Sequence, residues 1–331
     1  MTLHMNLGEN SYDIVIEPGA LKRAGKYLQL DRRVLIVTDE GVPAEYAAAL
    51  AAQCRKPLIV TVDQGEESKS IRVWEKLLRS MLEAGFLRTD AVAAVGGGVV
   101  GDLAGFTAAC YMRGVDFYNI PTTVLSQVDS SIGGKTAVNF EGVKNIVGAF
   151  YQPKKVLVDT DLLSTLDRRQ ISNGLSEALK MAACFDEKLF SLFETEDPFE
   201  HIPEIVARSL EIKKAVVEQD EKEQGLRKAL NFGHTIGHGI ESVTGLLHGE
   251  CVALGMLPMC SEEVRNRLVP VLSRLKLPLT TDADREKVLA ALLHDKKAVD
   301  GGISCVLCGK AGSFEIRKLT AEELSERMKL L

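Results

Sequence analysis

The run DAVAAVGGGVVGDLAGF, Asp90 to Phe106, restricts the possible folds of this chain more than any other segment. Ala91 to Val95 are small or β-branched and uniformly apolar, as in a strand buried on both faces. Gly96, Gly98 and Gly101 then satisfy G-x-G-x-x-G, ahead of a helix-like segment. A strand that enters a glycine turn and leaves as a helix is half of a βαβ unit. Glycines there let a pyrophosphate approach the backbone, and the open N–H groups of the helix start favour an anion. A tight turn that simply requires glycine is the plain alternative. The motif also lies well past the first strand–helix turn, so an ordinary N-terminal Rossmann domain fits poorly.

The neighbouring segments extend the pattern. RVLIVTDEG, LIVTVDQGEESKS, VDFYNIPTT and KKVLVDTDLL read as short strands ending in polar or turn residues. SIRVWEKLLRSMLEAGF is an amphipathic helix with Ile71, Trp74, Leu77, Leu78, Met81 and Leu82 on one face. Strands separated by helices imply a mostly parallel sheet. From about Thr160 the periodicity turns helical through GLSEALKMAACF, FEHIPEIVARSLEIKKAVVEQDE, LRKALNFGHTIGHGIESV and GECVALGMLPMCSEEVRNRL, and only GISCVLCGKAGSFEIRKL looks extended. The fold class expected is α/β with an N-terminal Rossmann-like domain, residues 1–160, followed by a mainly α-helical C-terminal domain, residues 161–331. The default ligand site in such a build is the cleft between the two.

Composition narrows the function classes. The 331 residues carry a formal charge of −6, which argues against a nucleic-acid partner. The first residues lack a basic segment followed by an apolar run, so no signal peptide is expected, and no uncharged apolar stretch is long enough for a membrane span. Seven scattered cysteines point to reduced thiols in a cytoplasm. Cys305 and Cys308 form a C-x-x-C within an alternating run, which reads as packed side chains.

Several constellations carry chemistry. SSIGGKTAVNFEGVKN places Lys135 behind two glycines, with Lys144 and Asn145 following. Asp129 stands where a nucleotide-triphosphate loop needs its first glycine, so the segment is an anion site or a loop with surface lysines. Glu177 and Lys180 are spaced i, i+3, the spacing of an ordinary helix salt bridge. Arg227, Asn231, His234 and His238 step by four, three and four, a polar helix stripe suited to a solvated cleft. His248 follows ahead of another helix. Three histidines and a glutamate are ordinary ligands for a divalent ion such as Zn²⁺; two hydrogen-bonded helix histidines are the bland reading. H-x-x-x-H without the internal glutamate is not the metalloprotease motif. Lys296 and Lys297 read as an anion contact or a solvated charge cluster before a turn.

Together GGGVVGDLAGF, RGVDFYNIPTTVLSQVDSSIGGKTAVN, KNIVGAFYQP, DEKEQGLRKALNFGHTIGHGIE and LHGECVALGM resemble the 3-dehydroquinate synthases of the shikimate pathway. The resemblance runs from about residue 30 to 310. It implies NAD and one divalent metal, zinc or else cobalt, as cofactors. The reaction implied converts 3-deoxy-D-arabino-heptulosonate 7-phosphate to 3-dehydroquinate and phosphate. Its steps are transient oxidation by NAD, phosphate elimination, re-reduction, ring opening and intramolecular aldol closure. The substrate phosphate itself would take the C6 proton. The metal ligands implied are Glu177, His234 and His248. Substrate and anion contacts fall on Arg113, Lys135, Lys144, Asn145, Lys180, Lys213, Arg227, Asn231, His238 and one of Lys296 and Lys297. NAD contacts fall on Asp39, on Gly65, Glu66 and Lys69, and on Gly98, Val99, Val100, Gly101 and Asp102. Further ones fall on Thr122, Thr123, Lys135, Lys144, Leu162 and Thr165. The partners expected are the sugar phosphate and a second copy of the chain in a homodimer, with neither nucleic acid nor membrane.

Three rivals remain beside this reading. Another sugar-phosphate cyclase, such as a 2-deoxy-scyllo-inosose or 2-epi-5-epi-valiolone synthase, would share fold and cofactors. A metal-dependent polyol dehydrogenase would release NADH and need no crowded anion pocket. A non-catalytic binding protein would most easily show as a lost ligand or anion lysine, and none is lost.

Overall fold

The computed structural model describes residues 1–295 and 302–331 and divides into two compact units, Met1–Leu166 and Asp167–Leu331. Lys296 and Lys297 lie outside the described residues.

The first unit is built on strands β1 (Thr2–Met5), β2 (Tyr12–Ile16), β3 (Arg33–Asp39), β4 (Lys56–Val62), β5 (Ala91–Gly96), β6 (Asp116–Pro121) and β9 (Lys155–Val158). They form a seven-stranded sheet in the order β1-β2-β9-β6-β5-β3-β4, parallel except for the β1–β2 hairpin. Alternation divides its side chains between two cores. Val34, Ile36, Ala91, Ala93 and Val95 face the core that includes Ala47 and Leu50 of α1 (Ala44–Ala51). Leu35, Val37, Val92 and Ala94 face the core shared with α2 (Ile71–Glu83) and α3 (Gly98–Cys110). Burial on both faces is why β3 and β5 read as unbroken apolar runs.

Two sequence expectations need correction here. Leu82 is 71% exposed, while Leu77 and Met81 are fully buried. It lies at the rim of the apolar face of α2, one residue past Met81, and the sheet does not reach it. The segment holding Lys144 is also no loop. Strands β7 (Lys135–Phe140) and β8 (Val143–Phe150) form an antiparallel hairpin against α3, with Val138 in the core and most of β8 exposed.

The second unit consists of α4 (Arg168–Phe185), α5 (Glu187–Thr195), α6 (Ile202–Gln219), α7 (His234–Val243), α8 (His248–Met256), α9 (Glu262–Arg274), α10 (Arg285–Asp295) and α11 (Ala321–Arg327). The hairpin of β10 (Ile303–Leu307) and β11 (Glu315–Leu319) joins them. The expected continuous helix from Leu226 through Val243 is broken. Leu226–Asn231 is a 3-10 turn, and α7 starts afresh at His234. Arg227 and Asn231 therefore do not share a helix stripe with His234 and His238. The cause is Gly233, in the left-handed region at φ 78°, where a Cβ would lie 2.7 Å from the carbonyl oxygen of Val252. A Cβ on Gly255 would in turn lie 1.9 Å from the carbonyl oxygen of Gly233. Backbone-to-backbone packing of α7 on α8 thus dictates the break.

Candidate active site

Helices α4, α7 and α8 bring Glu177, His234 and His248 together. The Nε2 atoms of His234 and His248 lie 3.6 and 3.5 Å from the same carboxylate oxygen, Oε1 of Glu177. That oxygen is buried and accepts no hydrogen bond, while the other, Oε2, accepts one from Lys180 Nζ at 2.6 Å. Each histidine is held by its far nitrogen. Nδ1 of His234 is 3.2 Å from the Phe232 carbonyl, and Nδ1 of His248 is 2.9 Å from Oε2 of Glu241. The imidazole of His238 stands 5.2 Å from that of His234 and 5.7 Å from that of His248, and it is exposed. One donor nitrogen from each of the three histidines lies within 4.8 Å of the others, so His238 belongs to the same cluster by distance.

The α8 end of this cluster is pinned by Gly249. A Cβ there would lie 2.0 Å from the carbonyl oxygen of Asn173 on α4, and its N–H donates to Asn173 Oδ1 at 2.6 Å. Burial works against ionising Glu177, but Lys180 and the histidines hold its carboxyl well below the usual range. Burial, then the Lys180 charge, pushes His234 well below its ordinary value. Burial likewise opposes protonation of His248, yet Glu177 and Glu241 outweigh it and raise the imidazole to about 10. The gap between Glu177 and Glu241 therefore calls for positive charge, from a proton or a metal ion. An anionic carboxylate, a neutral imidazole and a buried oxygen without a hydrogen suit a divalent cation.

Lys180 adjoins the cluster through its hydrogen bond to Glu177, and two further buried cations stand on segments packed against α4. Lys180 on α4, Lys213 on α6 and Arg227 on the 3-10 turn are 2%, 5% and 2% exposed, and these three segments pack on one another. Asp220 shapes the approach to Arg227 by accepting from the N–H groups of Gln224, Gly225 and Arg227. Asn231 Nδ2 donates to Glu223 Oε1 at 2.8 Å.

In the first unit the residues expected to hold a dinucleotide gather after the carboxyl ends of parallel strands, where open α/β sheets place ligands. Asp39 ends β3, Gly65, Glu66 and Lys69 follow β4, and Gly98, Val99, Val100, Gly101 and Asp102 open α3 after β5. Thr122 and Thr123 follow β6, and Leu162 and Thr165 follow β9, where Tyr46 Oη lies 3.3 Å from the Leu162 carbonyl and from Thr165 Oγ1. Burial raises the Asp39 carboxyl, although it accepts from Gly41 N. Lys69, almost fully buried, donates to Asp102 Oδ2 at 2.7 Å and to Asn145 Oδ1. Asn139 Nδ2 donates to Glu66 Oε1 at 2.8 Å, so β7 and β8 are tied to this network. No side chain caps the α3 start at Gly97, and Ser130 Oγ is buried without a hydrogen-bond partner. A Cβ on Gly98 would stand 3.0 Å from that hydroxyl. An uncapped helix start of this kind, with a glycine and a free hydroxyl beside it, has the features that suit a phosphate group. Lys135 and Lys144 are exposed on the hairpin. Arg113 is not brought to the glycine loop: it is exposed on the turn before β6, beyond a helix about 20 Å long.

Comparison with known proteins decides the family. Models of the 3-dehydroquinate synthase N-terminal and C-terminal regions match residues 59–173 and 174–298. The 3-dehydroquinate synthase of Enterococcus faecalis is 41% identical over 348 aligned positions, covering 98% of this chain and 97% of that protein. That of Alkaliphilus metalliredigens is 42% identical over 347, again covering 98% and 97%. The chain belongs to the 3-dehydroquinate synthase family. A solved 2-epi-5-epi-valiolone synthase from Streptomyces hygroscopicus, with NAD⁺ and Zn²⁺ bound, superposes at a TM-score of 0.88 with 29% identity, over 98% of both chains. Family membership makes the chain a lyase acting on a phosphate-bearing substrate.

Sequence reasoning passed over Glu241, Glu223 and Asp220, which the structure places on His248, Asn231 and the backbone beside Arg227. Glu241 had a legible signal, since it follows His234 by seven residues on the same helix face. Glu223 and Asp220 lie in a loop, where no periodicity marks which side chain turns back.

Proposed function

We propose that the chain converts 3-deoxy-D-arabino-heptulosonate 7-phosphate to 3-dehydroquinate and inorganic phosphate, using NAD and a divalent metal, zinc or cobalt. The observation that carries this reading is the buried Glu177 oxygen faced by two histidines, beside buried Lys180, Lys213 and Arg227, in a chain matching this family end to end. Glu177, His234 and His248 would hold the metal, and the residues around Gly98, Lys69 and Asp102 would hold NAD. When bound, the metal lowers the pKa of substrate hydroxyls, and NAD accepts a hydride and returns it.

The protein's own side chains do the rest. Lys213 and Arg227, with Lys135, Lys144 and one of Lys296 and Lys297, neutralise the substrate carboxylate and phosphate. Their number suits a doubly anionic ligand on a protein of formal charge −6. Lys180 keeps Glu177 ionised. Asn231, steadied by Glu223, presents an amide for hydroxyl recognition. His238 is exposed beside the cluster, placed to exchange hydrogen bonds or a proton with substrate. Holding one reactive conformer through several steps is the catalytic contribution asked of these groups.

Two further parts belong to the proposal. The protein works as a homodimer in a reducing cytoplasm. Dimerisation is supported by Phe140, Val143, Ile146 and Phe150, exposed together on the β7–β8 hairpin. No helix among the described residues is long and apolar enough to cross a membrane, and no disulfide joins any of the seven cysteines.

The deciding experiment incubates purified protein with the heptulosonate phosphate while following phosphate, 3-dehydroquinate and NADH, with metal content measured on the same sample. Stoichiometric phosphate and dehydroquinate without net NADH are expected. NADH accumulation without phosphate release would overturn the reading in favour of a polyol dehydrogenase.

A further inference from the structure

We infer that Glu241 is a positioning residue for the metal centre, fixing the ring and tautomer of His248 so that its Nε2 lone pair faces the cation. This rests on the reading above that Glu177, His234 and His248 hold a divalent metal.

The geometry is specific. Oε2 of Glu241 lies 2.9 Å from Nδ1 of His248, and Nε2 of the same ring lies 3.5 Å from Oε1 of Glu177. A carboxylate at Nδ1 keeps the proton there, which leaves Nε2 as the donor. It also locks the ring about its long axis and makes the imidazole a stronger base. The companion ligand is held differently, with His234 Nδ1 against the neutral Phe232 carbonyl at 3.2 Å. The two histidines are therefore unequal, and only His248 is backed by a full negative charge.

Position in the fold supports the role. Glu241 is in the last turn of α7, the helix that opens with His234, and His248 opens α8. The contact ties the two ligand-bearing helices together across the turn between them. The Glu241 side chain is 20% exposed and that of His248 31%, so the pair is largely shielded from solvent and is no freely solvated surface pair. An ordinary surface pair would be worth little, and its loss would leave metal binding unchanged. A positioning carboxylate behaves otherwise, and loss of such a partner typically costs 10- to 100-fold in metal affinity.

The test titrates metal-stripped full-length protein with Zn²⁺ against a chromophoric chelator, and with Co²⁺ while recording the visible spectrum. Glu241→Ala is expected to weaken Zn²⁺ binding by about 10- to 100-fold and to alter the cobalt bands. Glu241→Gln, which keeps an acceptor but not the charge, is expected to fall between Ala and parent. Circular dichroism of the metal-stripped variants should match the parent, separating a positioning role from misfolding. Zinc affinity of Glu241→Ala and Glu241→Gln within about twofold of the parent, with His248→Ala losing metal, would overturn this inference alone. If the parent itself binds no stoichiometric zinc, or if His248→Ala binds as the parent does, the metal-centre reading fails together with it.

Discussion

Glu177 shows how one buried side chain can be read in opposite ways. Its i, i+3 spacing to Lys180 is that of a plain salt bridge, and that bridge does form at 2.6 Å. The other oxygen, however, is buried without a donor and is faced by two imidazoles. His234 and His238 are both within the histidine cluster by distance, so their division of labour needs a direct test. His234→Ala is expected to abolish retention of the divalent ion. His238→Ala should retain it and lose about 10²-fold or more in turnover. Metal analysis and kcat on the same preparations check this, and equal metal loss in both variants would refute the division.

The residue types of the cluster were legible from sequence, and its partners were not. The histidines announce themselves by spacing. Nothing in a single chain signals that Asp220 folds back onto three backbone N–H groups, or that Lys69 reaches Asp102, because those contacts are made by loops and by long-range pairing.

At the scale of elements, the α/β alternation of the first unit was legible because β3 and β5 are buried on both faces. The β7–β8 hairpin was not, since β8 is mostly exposed and its side chains show no clean alternation of apolar and polar. The break before His234 was missed for a different reason. Helical periodicity continues through it, while the backbone leaves the helix at Phe232, where ψ is 129°, and at Gly233, where φ is positive. Gly233→Ala should therefore cost about 2–4 kcal/mol, from left-handed strain together with overpacking against Val252. A lowered denaturant midpoint and weaker metal retention would show it; an unchanged midpoint would mean that α7 and α8 can separate cheaply.

An edge of the sheet adds a pH-dependent prediction. Asp13 on β2 joins His4 of β1 and Lys155 of β9 at 2.8 and 3.1 Å. Hydrogen bonds from His4 and Lys155 lower its carboxyl below the ordinary aspartate value of about 3.9. A depressed folded-state value gives stability that is present above about pH 4 and is lost as pH falls through the lower folded value. Asp13→Asn should thus lose a little stability at neutral pH and show a shallower decline on acidification. Thermal melts from pH 2 to 7 would reveal it. Identical acid profiles for variant and parent would show that the partly exposed pair is fully screened.

For the whole molecule, the formal charge of −6 hides a local concentration of cations, three of them buried in the second unit. The net charge argues against a nucleic-acid partner and stays compatible with a local basic pocket for a small anion. Ile146, 60% exposed on the hairpin, offers the test of assembly. Ile146→Asp is expected to shift the protein from dimer toward monomer in sedimentation while its secondary structure is retained. A dimer of unchanged strength would place the interface elsewhere.

The contacts among α4, α7 and α8 also bear on how such a centre can be altered. Gly233, Gly249 and Gly255 leave no room for even one methyl group between these backbones. The spacing of Glu177, His234 and His248 is consequently beyond the reach of ordinary core repacking. With a metal held there as proposed, its preference would be retuned by exchanging a ligand or the group behind it, which leaves an engineer with few positions to work on.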